Sequence, residues 1–106
     1  MSEQEIVERH FVANIAFRWA RYEITATQYP QALHHLHKAL QLFEVLRETE
    51  QILEIRYNIA IVYSHTGRLK DAIVIVKDIR QQHVILGNTV KYGVVTNFLG
   101  GCHRRL

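Results

Sequence analysis

The stretch Gln31–Leu46, QALHHLHKALQLFEVL, is matched in outline by Asp71–Leu86, DAIVIVKDIRQQHVIL, 40 positions further on. Ala32 answers to Ala72, Leu33 to Ile73, Leu36 to Val76, Ala39 to Ile79 and Leu46 to Leu86. Backward, Trp19-Ala20 pairs with Ile59-Ala60, and forward the echo reaches Leu99-Gly100. A fixed period of this size marks a repeat architecture, in which each unit hides its apolar face only by stacking on a neighbour. Such a chain reads as a scaffold that holds something, and the pattern points away from an enzyme pocket.

Composition agrees with a helical array. The chain has 106 residues, 48% of them hydrophobic and 22% charged, with one Pro and five Gly. So few breakers allow helix almost throughout, and the balance is that of a globular chain. The formal charge of +3 is mildly basic, short of the clustered charge of a nucleic-acid footprint. The single Cys102 cannot close an internal disulfide, which suits a reducing compartment. The acidic, polar start Met1-Ser2-Glu3-Gln4-Glu5 is unlike a signal peptide, and no apolar run has the roughly 18 residues of a membrane span. These features predict a cytoplasmic protein that does not enter membranes.

Spacing and punctuation predict five helices, at about 3–26, 30–47, 50–65, 69–86 and 89–105. Ser2 with Glu5 forms a possible capping box, followed by Ile6, Phe11, Ile15, Trp19 and Tyr22 at helical spacing. Tyr29-Pro30 breaks that helix and opens the next, whose inward stripe is Leu33, Leu36, Leu40, Phe43 and Leu46. Glu48-Thr49 makes a turn with Thr49 as cap, and Ile52, Ile55, Ile59, Val62 and Tyr63 follow. Thr66-Gly67 is the clearest stop, because glycine tolerates the left-handed backbone that ends a helix. Ala72-Ile73-Val74-Ile75-Val76 alone reads as a buried strand. Its counterpart Ala32-Leu33-His34-His35-Leu36 does not, so the repeat assigns it to helix and leaves Val74 and Ile75 facing outward.

Ala60, Tyr63, Gly67 and Ala72 stand at offsets that resemble the tetratricopeptide repeat. In the first unit Ala20, Ala32 and Ala39 fit, with Thr27 in place of the turn glycine; in the third, Phe98-Leu99-Gly100 fits. The common repeat has about 34 residues. A 40-residue period is similar to the long-helix variety of kinesin light chains and bacterial regulators, where a Leu-Gly-Asp/Asn turn separates repeats. Leu86-Gly87-Asn88 matches that turn and Arg47-Glu48 is a poorer counterpart. The resemblance covers about residues 12–106 and implies an all-α solenoid, a single domain of two helical hairpins plus a terminal helix. It makes Trp19 and Tyr63 signature packing positions.

In that family the first helix of each hairpin lines a concave groove. The resemblance therefore implies a peptide or protein partner held by Asn14, Phe17, Arg18 and Arg21, by Tyr57, Asn58, Ile61 and His65, and by Val94, Phe98 and Arg105. Asn58 falls where many members place an amide that hydrogen-bonds a peptide backbone. The carboxylate clamp of chaperone-binding members needs Lys or Arg at the positions held here by Val94 and Phe98, so that partner is disfavoured.

Arg18 and Arg21 with Asn58 form either an anion-seeking patch or a solvated face paired with Glu23 and Glu54. His34, His35 and His37 suggest a metal, but only His34 and His37 share a helical face and no further ligand completes a set, so no metal is expected. Cys102 and His103 are adjacent, hence about 100° apart on a helix, and Cys102 reads as a packed hydrophobe rather than a nucleophile. No acid, base and nucleophile converge, so no catalysis and no cofactor are expected. The last helix carries a second apolar stripe, Val90, Val94 and Phe98, where a terminal repeat should be polar. Either further chain follows, or a second copy covers this face and makes a homodimer. Two rival readings are a purely structural assembly subunit and a weak binder of nucleic acid or acidic surfaces through Arg18, Arg21, Arg56, Arg104 and Arg105.

Overall fold

A computed structural model describes residues 1–86, and all the ordered elements among them are helices: α1 (Glu3–Thr25), α2 (Tyr29–Leu46), α3 (Thr49–His65) and α4 (Leu69–Leu86). The expected fifth helix, with Val90, Val94, Phe98 and Cys102, lies outside the described residues. The chain divides into two compact units, Met1–Asn58 and a second beginning at Ile59.

Local chemistry sets the helix ends. The Ser2 hydroxyl accepts the Glu5 backbone N–H at 3.2 Å, which satisfies one of the orphan donors of α1. Pro30 sits in the first turn of α2, where its missing N–H costs nothing. Thr49 is already the first residue of α3 rather than the cap outside it. The β-branched run at 72–76 is helical, as its counterpart in α2 required.

The three turns share one backbone. The Gln28 N–H reaches the Glu23 carbonyl at 2.8 Å, Glu48 reaches Phe43 at 3.1 Å, and Arg68 reaches Tyr63 at 2.8 Å. Each is the long hydrogen bond of a Schellman ending. The residue before each donor takes a positive φ: 60° at Thr27, 58° at Arg47 and 85° at Gly67. These positions are evenly spaced, twenty residues apart. Only the third is the glycine that such geometry favours. After it, the Arg68 guanidinium donates to the Asp71 carboxylate at 2.9 Å and lies 4.0 Å from the centre of the Tyr63 ring. The Asp71 hydrogen bond, reinforced by Tyr63, holds the Arg68 pKa above its usual value.

In the first unit, α1 and α2 pack together through small residues. Ala13, Ala16, Phe17 and Ala20 are the buried apolar residues of α1; Ala32, Leu36, Ala39 and Phe43 are those of α2. Alanines let the two backbones approach, while Leu36 and Phe43 supply apolar area, roughly 2–3 kcal/mol each. Leu33, Leu40 and Leu46 are only half-buried. The second unit buries Ile59, Ala60, Val62, Ala72, Ile73, Val76 and Ile79, with Tyr63 half-buried. Val74 faces solvent and Ile75 is half-buried.

Burial follows the echo at Ala20 and Ala60, Ala32 and Ala72, Leu36 and Val76, and Ala39 and Ile79, all fully enclosed. It breaks on the other face of α1. Trp19 is 56% exposed, whereas its counterpart Ile59 is 4% exposed; Tyr22 is 65% exposed against 0% for Val62. Ile15 is exposed and Ile55 buried. Trp19 is thus not the core residue that its register position predicts. The stripe Ile6, Phe11, Ile15, Trp19 and Tyr22 turns outward because the alanines, not the large side chains, form the seam with α2.

Candidate functional site

The C-terminal half of α1 carries two exposed cations, Arg18 and Arg21, to a cleft that Asn58 of α3 also lines. Arg18, Arg21, Tyr22, Ile24, Thr25 and Asn58 line one open cleft of about 430 Å³. Arg18 and Arg21 are three residues apart, so helical geometry sets them on one side, with Asn14 a turn earlier. Arg21 is steadied by its own helix, its guanidinium lying 5.8 Å from the centre of the Phe17 ring. Phe17 itself is buried and supports Arg21 from below rather than lining the cleft.

Asn58 is half-buried, and its amide nitrogen donates to the Glu54 carbonyl at 2.8 Å. That bond fixes the side chain against its helix and leaves its carbonyl oxygen and one N–H to offer. Two guanidinium groups beside a fixed amide and the Thr25 hydroxyl can receive a carboxylate and an extended backbone together. The hydroxyl of Thr25 also donates to the Arg21 carbonyl, at 3.1 Å. Tyr57 is half-buried and Asn14 exposed; neither lines the cleft. Ile61, half-buried, and His65, exposed, belong to the second unit. Val90, Val94, Phe98 and Arg105 lie outside the described residues.

Glu23, expected near Arg18 and Arg21 as a partner, is committed elsewhere. It is buried and meets His35 of α2, with Oε1 2.5 Å from Nδ1. The sequence held one signal of this pair: an acid three residues after Ala20, on the small-residue face of α1. His10 makes a looser pair with Glu48 at 3.5 Å while its ring meets Phe43 edge-on at 6.2 Å. With His35 engaged, His34 and His37 stay exposed. Among the described residues no group of three His, Cys, Asp or Glu side chains is placed to hold a metal. No described helix is long and apolar enough to cross a membrane.

Comparison with known proteins bears on the same elements. A family model described as "Tetratricopeptide repeat" matches residues 11–81, a span that runs from α1 into α4. No match was found among curated proteins or among solved structures. The matched span covers well over half of the sequence and holds the alanine seam, the left-handed turns and the cleft; the chain belongs to the tetratricopeptide repeat family.

Proposed function

We propose that this protein is a non-catalytic interaction module whose first unit binds an acidic, extended segment of a partner protein. Tetratricopeptide repeats generally mediate protein–protein interaction. One observation carries the finer reading: Arg18 and Arg21 of α1 line a single open cleft with Asn58, which is distant from them in sequence. The two cations select a carboxylate, and the amide pairs with the backbone beside it. The cleft is open rather than enclosed, which suits a peptide laid along a surface better than a small metabolite.

The experiment is a fluorescence-anisotropy titration with a labelled, glutamate-rich extended peptide. Asn58→Ala removes one hydrogen bond, about 1 kcal/mol, and should weaken binding roughly fivefold. Arg21→Ala should weaken it further, and Arg18→Ala likewise. If all three variants bind the peptide as tightly as the natural chain, the cleft is not the site.

A further inference from the structure

We infer that the outer face of α1 is a docking surface for a second copy of this chain, joined antiparallel through the same helix. Val7, Phe11, Ile15, Trp19 and Tyr22 are all exposed and recur at helical spacing opposite the alanine face. Trp19 and Tyr22 meet edge-on, their ring centres 6.3 Å apart, and with Ile15 and Arg18 they line a shallow hollow of about 560 Å³. A continuous solvent-exposed apolar stripe of this kind marks an interaction surface.

The repeat register says what kind of partner fits. Ile15, Trp19 and Tyr22 stand 40 positions before Ile55, Ile59 and Val62, all of which are buried. The face of α1 is therefore built at positions that the same chain fills with core residues in α3. Its natural complement is another apolar helix.

Charge says which helix. Glu3, Glu5 and Glu8 lie in the first half of α1, whereas Arg18 and Arg21 lie in the second. Arg9 and His10, the bases of the first half, are half-buried on the other side. Laid antiparallel on a copy of itself, α1 sets its acidic half against its partner's basic half, with Ile15 near the two-fold axis and Phe11 close to the partner's Trp19. A parallel pairing would set like charges together. A two-fold contact of one surface with itself closes as a dimer and does not grow into fibres.

Sedimentation equilibrium of the full chain, from about 1 µM to 1 mM, should show mass rising to a dimer. Trp19 is the sole tryptophan, so its emission should shift to shorter wavelength over the same concentrations. Ile15→Glu alters an exposed residue, leaves the monomer folded, and enters the dimer twice, so it should weaken association roughly a hundredfold, about tenfold per copy. Arg18→Glu/Arg21→Glu makes both halves acidic, and Glu5→Lys/Glu8→Lys makes both basic. Each variant should associate poorly alone and tightly when mixed at low salt. The inference is overturned by a monomer at every concentration, or by a Trp19 emission that does not move with mass. It is equally overturned by a dimer that Ile15→Glu leaves intact, or by a mixture no tighter than its parts. Asn58→Ala separates this surface from the peptide cleft, since it should leave dimerisation unchanged.

Discussion

The Glu23 carboxylate on α1 lies 2.5 Å from the His35 imidazole on α2, and the carboxylate end of the pair is buried while the imidazole end is half-exposed. One polar bond thus crosses the alanine seam, at its end nearest the first turn.

Removing either partner should be costly in unequal ways. His35→Ala leaves a buried carboxylate without its hydrogen bond and should lower stability by about 1–3 kcal/mol. The double variant Glu23→Ala/His35→Ala removes both groups and should cost less than the sum of the two singles. Urea unfolding of the four proteins measures the coupling; additive losses would mean that the pair contributes nothing to the seam.

The left-handed turns predict gains as well as losses. A residue with a side chain gives up roughly 1–2 kcal/mol in this conformation. Glycine loses some 0.5–1 kcal/mol more backbone freedom on folding. The first effect is the larger, so Thr27→Gly and Arg47→Gly should each stabilise by about 0.5–1 kcal/mol. At Gly67 an added Cβ would meet nothing within 4 Å, so Gly67→Ala should cost about 1 kcal/mol through backbone strain alone. Thermal unfolding midpoints that move the other way would refute the account.

Adjacent residues on α1 should respond oppositely to substitution. Ala20 is enclosed in the seam, and Ala20→Leu should destabilise by about 1–3 kcal/mol through overpacking. Trp19 is exposed, and Trp19→Ser should change the stability of the monomer by no more than about 0.5 kcal/mol. Chemical denaturation at low micromolar concentration, where association does not intrude, compares the two.

Much of this architecture is legible in the sequence. Helices announce themselves by spacing, Pro30 and Gly67 by their backbone limits, and the alanines at 20, 32, 60 and 72 by recurring where backbones must approach. Periodicity also reveals an apolar stripe, but not whether anything covers it. In α1 the large residues Phe11, Ile15, Trp19 and Tyr22 and the small residues Ala13, Ala16 and Ala20 both repeat at helical intervals. Bulk favours the first set for the core, whereas close packing chose the second.

The places of the turns at Thr27 and Arg47 were legible, but their left-handed backbone was not, for a different reason. Neither residue is one that a left-handed backbone favours, so their conformation is imposed by the helices on either side. The Arg18, Arg21 and Asn58 grouping was legible only through the family resemblance, because contacts between distant segments leave no periodic trace. The Glu23–His35 bond left nothing but an acid on an apolar face.

The evenly spaced turns carry an evolutionary consequence. Glycine, threonine and arginine occupy one conformation in three places, so hydrogen bonds to the preceding helix, rather than residue identity, maintain it. The exposed side chains at these sites are then open to drift. Hairpins descended from one ancestral unit can therefore lose every recognisable turn signature while keeping the same bend. Kinship among such units would survive longest in their alanines, where neighbours leave no room to change.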